Sequence, residues 1–157
     1  MVERLNDLLE AERVGVDAAC GLVPMATTLA MRRLFEKLRD DEAWSCAGLN
    51  RVIKHLGGKV SHGKGDFAQR LEALPSLRER LSLLNRGQAC VVRRLDRLLE
   101  GECDRETGGF LRQMRSLHAE NVHRYEDLIV ALATSDTGAL SPARGRGPGE
   151  GGLRSVP

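Results

Sequence analysis

The chain has 157 residues, of which 41% are hydrophobic, 29% charged and 3% aromatic. This length suits one domain with its own core, and the composition is that of an ordinary globular protein. The 24 Lys and Arg residues nearly balance the 22 Asp and Glu residues, which excludes the strong basic patch of a nucleic-acid binder. The apolar runs fall short of the roughly 18 residues that a membrane span needs, so we expect neither nucleic acid nor membrane as a partner.

Two long helices are predicted in the first part of the chain. The first covers Val2 to Leu22, where apolar residues recur at intervals of three and four until Pro24 stops the pattern. The second runs from about Thr27 to Leu56 and ends at the glycine pair that follows.

A shorter helix and two more long helices are predicted beyond a polar, glycine-bearing segment. Asp66 is the expected N-cap of the short helix, over Phe67 to Leu74. Pro75 and Ser76 open the third long helix, which extends to about Leu99. Asp104 is expected to cap the fourth long helix, which extends to about residue 133.

The lengths of the connections predict how the helices pack. The link between the first two long helices is short, as is the link between the last two, so each pair should form an antiparallel hairpin. The middle connection covers about 18 residues and is long enough to run the length of a bundle. We therefore expect an all-α domain over residues 1–133, an antiparallel four-helix bundle of two hairpins joined by a long crossover with a short helix.

The last segment, residues 134–157, has a different composition. Six of its 24 residues are Gly and three are Pro, and several are Arg. Such a segment buries too little apolar surface to offset the entropy lost on ordering. The sequence predicts a disordered Gly/Pro/Arg-rich tail.

The four cysteines are scattered along the chain, without a Cys-x-x-Cys pair. No secretion signal is recognised ahead of them, so we expect reduced thiols and a cytoplasmic location.

Each long helix carries polar residues inside its apolar stripe, near its middle. Because an unpaired buried polar group costs a few kcal/mol, these groups are expected to bond one another, a metal ion or an organic ligand. The spacing also repeats. In each predicted hairpin, the polar residue of the first helix lies 30 positions before the first polar residue of the second helix, and another polar residue follows three positions later. The set is Glu12, then Glu42 with Ser45, then Gln88, then His118 with Asn121.

This pattern resembles the ferritin-like superfamily, in which two helices each give a Glu and two each give a Glu-x-x-His pair. The stretches Leu9-Glu-Ala-Glu-Arg13, Asp41-Glu-Ala-Trp44 and Asn85-Arg-Gly-Gln88 are similar to a bacterial branch of it. The ligand set is depleted, because Glu12 and Glu42 alone keep the expected identity.

The resemblance implies a metal site with fewer ligands than a di-iron centre. Glu12, Glu42 and His118 are the expected ligands, a mixture of donors that Fe(II) or Mn(II) accepts. Supporting positions fall to Gln88 and to three further residues, which are Ser45, Asn85 and Asn121.

A rival ligand pair lies in the fourth helix, where Glu120-Asn-Val-His123 matches Glu-x-x-His literally. The apolar stripe places both side chains toward the outer face, so this alternative requires a local distortion of the helix.

Two functions remain open from the sequence. One is a ferritin-like protein with a mononuclear Fe or Mn centre for redox or oxygen-related chemistry. The other is a non-catalytic bundle with a metal-free polar core, acting as an interaction module or homodimer, with an exposed apolar patch around Trp44.

Overall fold

The computed structural model describes residues 1–138, and the regular elements of that part of the chain are all helical. The all-α prediction is confirmed. In chain order the elements are α1 (Val2–Leu22), a 3-10 turn (Val23–Met25), α2 (Leu29–His55), α3 (Phe67–Glu72), α4 (Leu77–Leu99) and α5 (Arg105–Gly138).

Polar side chains fix where three of the long helices begin. Thr28 accepts a hydrogen bond from the Met31 amide at 3.1 Å, and Ser76 accepts one from the Glu79 amide at 3.2 Å. Asp104 Oδ1 accepts from the Thr107 amide at 2.9 Å, as predicted. These bonds satisfy amide groups that have no partner within the first turn of a helix.

Asp66 is the N-cap residue of α3, as predicted, but its side chain makes no capping hydrogen bond. Its backbone lies at φ −92° and ψ 10°, whereas Thr28 has the extended conformation, at φ −131° and ψ 157°, that directs a capping oxygen at the helix.

Two apolar clusters hold the four long helices together. One cluster joins the first half of α1 to the second half of α2, and the other joins the end of α1 to the beginning of α2, so α1 and α2 run in opposite directions. By the same reasoning, α4 and α5 run in opposite directions. The first contains Leu5, Leu8, Leu9, Leu49, Val52, Ile53, Val91, Leu95, Leu98, Leu111 and Met114. The second contains Ala18, Ala19, Leu22, Phe35, Leu38, Leu71, Leu81, Leu84 and Tyr125.

The crossover between α2 and α3 is held against α1 by hydrogen bonds to its backbone. Asn6 donates to the Lys59 carbonyl at 2.9 Å and accepts from the Ser61 amide at 2.7 Å. Arg13 Nη1 donates to the Ser61 carbonyl at 2.7 Å. Helix α3, which follows this segment, contacts both α1 and α4.

Helix α5 continues through residues 134–138, which the sequence had assigned to the tail. Extending a helix adds one hydrogen bond for each residue that is fixed, so polar composition alone does not end it. The rest of the predicted tail, residues 139–157, lies outside the described residues. Within residues 1–138, a helix with the length and apolar character of a membrane span is not found.

Candidate metal centre

Polar side chains from the four long helices meet between the two apolar clusters. Glu12 and Glu42 are each 1% exposed and His118 is 0% exposed. One ligand atom from each of the three lies within 4.8 Å of the others. The prediction that these residues point inward is confirmed, and we call them the Glu–Glu–His cluster.

Gln88 connects two members of the cluster. Its Nε2 donates to Glu42 Oε1 at 2.5 Å, and its Oε1 lies 2.6 Å from His118 Nδ1. Since the amide nitrogen is used by Glu42, the amide oxygen accepts from His118, and this network assigns the imidazole proton to Nδ1. His118 Nε2 is then left with a lone pair.

That lone pair faces a carboxylate. His118 Nε2 lies 3.1 Å from Glu12 Oε2, yet neither atom has a hydrogen-bond partner among the described residues. Glu12 Oε1 is equally without one. A carboxylate and an imidazole lone pair in contact repel, so the metal-free protein needs a proton between them, which a neutral Glu12 supplies, and a bound cation can take the place of that proton.

Burial sets the pKa of each member of the cluster. It raises the pKa of Glu12 from 4.5 to about 7, against the lowering effect of the nearby Glu42 and Ser45 side chains. It raises the pKa of Glu42 well above its ordinary value, and the charge of Glu12 adds to this. It lowers the pKa of His118, against the opposite effect of Glu42 and Asp41. Without a cation, the interior favours the neutral form of every member.

Gly15 provides the space that Glu42 occupies. A Cβ built at Gly15 would overlap Oε2 and the side-chain carboxyl carbon of Glu42. Sequence reasoning missed this residue, although a glycine in a helix interior three positions after an inward-facing Glu was the available signal. The missing side chain on α1 therefore leaves room for the carboxylate of Glu42 on α2.

The supporting residues predicted from the sequence differ in what their side chains contact. Ser45 and Asn85 are buried, and their side-chain oxygens have no hydrogen-bond partner within the described part of the chain. Asn121 is also buried, but its Nδ2 lies 3.5 Å from Asp41 Oδ2. It is therefore directed at Asp41 and not at the cluster, whereas Gln88 contacts both Glu42 and His118 directly.

The rival pair lies on the outer surface of α5. The side chain of Glu120 is 60% exposed and lies 3.3 Å from Arg124. The side chain of His123 is 81% exposed and lies 3.5 Å from Glu126. The helix is undistorted in this region, and neither residue joins the Glu–Glu–His cluster.

A cavity of about 200 Å³ adjoins the cluster, between α1, α3 and α4. Glu12, Glu42 and Gln88 form part of its wall. The rest of the wall is mostly apolar. The sequence does not predict where this cavity lies, because its position depends on how three helices pack side by side. The rest of the wall consists of Glu10, Ala11, Val14, Gly15, Gly65, Phe67, Leu84, Gly87 and Val91.

The residues present fit a single divalent ion. Two ligand atoms bound side by side to one such ion lie about 3 Å apart, given metal–ligand bonds of about 2.1 Å, and Glu12 Oε2 and His118 Nε2 are separated by 3.1 Å. Two carboxylates and a neutral imidazole carry the charge that balances one divalent cation. Gln88 holds the other ring nitrogen of His118, as partners of metal-bound histidines do.

Fold and site together define an all-helical protein with a buried Glu–Glu–His cluster. Residues 1–127 match the family described as a domain of unknown function, DUF6306. The chain belongs to that family, and the matched segment includes all three residues of the cluster. No curated protein and no solved structure matches the chain.

Proposed function

We propose that this protein is a ferritin-like four-helix bundle that binds one Fe or Mn ion through Glu12, Glu42 and His118. The observation that carries the proposal is that Glu12, Glu42 and His118 meet in the core, with Glu12 Oε2 3.1 Å from His118 Nε2 and neither atom bonded to another described residue. A divalent cation there binds both atoms and neutralises the carboxylates.

The packing of the helices supports the ferritin-like part of the proposal. Two hairpins, α1 with α2 and α4 with α5, are joined by a long crossover, and each long helix supplies a polar residue at the same level. Ferritin-like di-iron centres use four carboxylates and two histidines. Gln88 and Ser45 stand here in place of a carboxylate and a histidine, which favours one ion over two.

The roles of the side chains follow from their contacts. Glu12 and Glu42 supply negative charge, and Gln88 holds the ring of His118 so that Nε2 faces Glu12. The surrounding core excludes water, which strengthens these electrostatic interactions. When bound, the ion supplies redox chemistry and open coordination positions for an oxygen-bearing ligand.

The interaction-module alternative predicts an exposed apolar patch around Trp44. Trp44 is instead half-buried, and its ring centroid lies 5.2 Å from that of Phe110. This packing uses the Trp44 side chain within the molecule and gives no support to the alternative.

The test is the metal content of protein purified without chelators, measured by plasma mass spectrometry. We expect close to one Fe or Mn per chain, and we expect it to be lost in His118→Ala. The matched control is His123→Ala, since His123 lies on the same helix with its side chain 81% exposed. Metal-free wild-type protein that also fails to bind added Fe(II) or Mn(II), or metal lost in His123→Ala alone, would overturn the proposal.

A further inference from the structure

We infer that the cavity between α1, α3 and α4 is a binding site for a small neutral alcohol or phenol. Its closeness to a metal ion rests on the proposed function, but the cavity itself does not. Because Glu12, Glu42 and Gln88 form part of its wall, a molecule in the cavity contacts the same side chains that would hold the ion. The site would thus present a substrate to the metal centre.

The size and walls of the cavity set the class of ligand. An apolar cavity of about 150 Å³ inside a protein holds one benzene molecule, and this cavity measures about 200 Å³. Its walls include Val14, Leu84 and Val91, which are 4%, 2% and 7% exposed. These walls favour a compact hydrocarbon body of about the size of phenol.

The polar part of the cavity wall, formed by Glu12, Glu42 and Gln88, indicates which functional group the ligand carries. Both oxygens of Glu12 lack a hydrogen-bond partner among the residues described here, so a ligand that donates one hydrogen bond satisfies a group that is otherwise costly to bury. The apolar walls make it costly to strip water from either an anion or a cation. A neutral hydroxyl group meets all three conditions.

The rim shows how a ligand would enter. Gly65 and Glu10 are more exposed than the inner walls, and Phe67 covers Gly87 from α3. A Cβ built at Gly87 would lie 3.4 Å from Phe67 Cζ, an ordinary contact distance. A longer side chain at position 87 would therefore occupy the cavity beneath Phe67.

Binding of 4-fluorophenol to the metal-free protein, followed by fluorine NMR, tests the cavity alone. We expect saturable binding to the wild type that weakens about tenfold or more when a wall residue fills the cavity, in Gly87→Leu on α4 and in Ala11→Leu on α1. The matched control, Gly109→Leu, adds the same side chain at an exposed helical position with open space around it. Absence of saturable binding, or binding that the two wall variants leave unchanged, would overturn the inference.

A second arm separates this inference from the proposed function. In protein loaded with Mn(II), the paramagnetic ion should shorten the fluorine relaxation time of bound 4-fluorophenol, because ligand and ion share a wall. Wild-type protein that binds 4-fluorophenol but retains no Mn(II) would overturn the proposed function and support the cavity. Retained Mn(II) with no effect on bound 4-fluorophenol would overturn the placement of the ligand in this cavity.

Discussion

At the scale of single residues, the decisive feature is that two acids and an imidazole meet in the core, where both Glu12 oxygens and His118 Nε2 have no hydrogen-bond partner among the described residues. Their inward direction could be predicted, because Glu12, Glu42 and His118 all fall on apolar stripes. The supporting position of Gln88 could be predicted too, but its two contacts could not, since its amide links α2 to α5 and such a link depends on side-chain rotamers. A heptad pattern gives the face of a helix but not which atoms meet across it.

The raised pKa of Glu12 predicts how the metal-free protein responds to pH. Burial raises its folded pKa to about 7, above the 4.5 of the exposed group, so its favourable contribution is complete below pH 4.5 and is lost as pH rises through about 7. His118, whose pKa is lowered from 6.5, is neutral in both states above that pH. At about pH 8 with EDTA, Glu12→Gln should therefore be more stable than the wild type by about 2 kcal/mol.

Urea unfolding at about pH 4 and about pH 8 measures this difference, which should nearly vanish at the lower pH. Glu120→Gln serves as the control, because the Glu120 side chain is 60% exposed and should change little at either pH. A Glu12→Gln protein that is less stable than the wild type at the higher pH would show that the carboxylate stabilises the metal-free fold.

Gln88 is predicted to act through His118. Gln88→Leu keeps a similar volume but removes the hydrogen bonds to Glu42 and His118. Loss of such an orienting contact lowers metal affinity by about 10- to 100-fold, while one binding site per chain should remain. Calorimetric titration with Mn(II) gives both quantities, and Gln113→Leu, at an exposed position of α5, should bind as the wild type does. Unchanged affinity in Gln88→Leu would refute the orienting role.

At the scale of the helices, the contact between α1 and α2 depends on glycine at position 15. Gly15→Ala would place a methyl group where the Glu42 carboxylate lies. We expect it to displace that carboxylate and abolish measurable Mn(II) binding, even though alanine favours a helix over glycine by about 1 kcal/mol.

Gly21→Ala is the matched control on the same helix. A Cβ at Gly21 would meet Glu72 Oε1 at 3.8 Å, an ordinary contact, so this variant should bind Mn(II) normally and gain up to about 1 kcal/mol in stability. Thermal unfolding and Mn(II) titration of the pair provide the comparison. Equal Mn(II) affinity in both variants would show that the position of Glu42 does not depend on Gly15.

The helix boundaries illustrate what local sequence signals can supply. The predicted bounds of the first helix, about Val2 to about Leu22, agree with α1, because Pro24 marks its end clearly. The start of α2 was placed one residue before its true N-cap, Thr28, since two adjacent threonines offer the same capping group. Backbone conformation decides between such candidates, and it also explains why the Asp66 side chain makes no capping hydrogen bond to α3.

At the scale of the whole molecule, folding and metal binding should be coupled. The cluster joins α1, α2 and α5, and Gln88 adds α4, so a bound ion connects all four long helices. An ion present at 100 times its dissociation constant stabilises the folded state by about 2.7 kcal/mol. Thermal unfolding with and without Mn(II) should show this rise in the wild type and not in Glu42→Gln, and equal rises in both proteins would contradict the coupling.

Connection lengths predict two hairpins, because a short link leaves little freedom in how its helices pack, and the helix segments that share each apolar cluster agree with antiparallel pairs. The cavity could not be predicted, since its walls come from α1, α3 and α4, which are distant in the sequence. Small residues such as Ala11 and Gly87 are among those that line it. A pattern of apolar and polar positions specifies which residues are buried but not where the core leaves space.

A crystal structure of protein soaked in Mn(II), with anomalous diffraction recorded at the manganese absorption edge, tests the central claim most directly. The account predicts one anomalous peak per chain, about 2.2 Å from oxygens of Glu12 and Glu42 and from His118 Nε2. A peak at Glu120 and His123, or none in the core at saturating Mn(II), would contradict it.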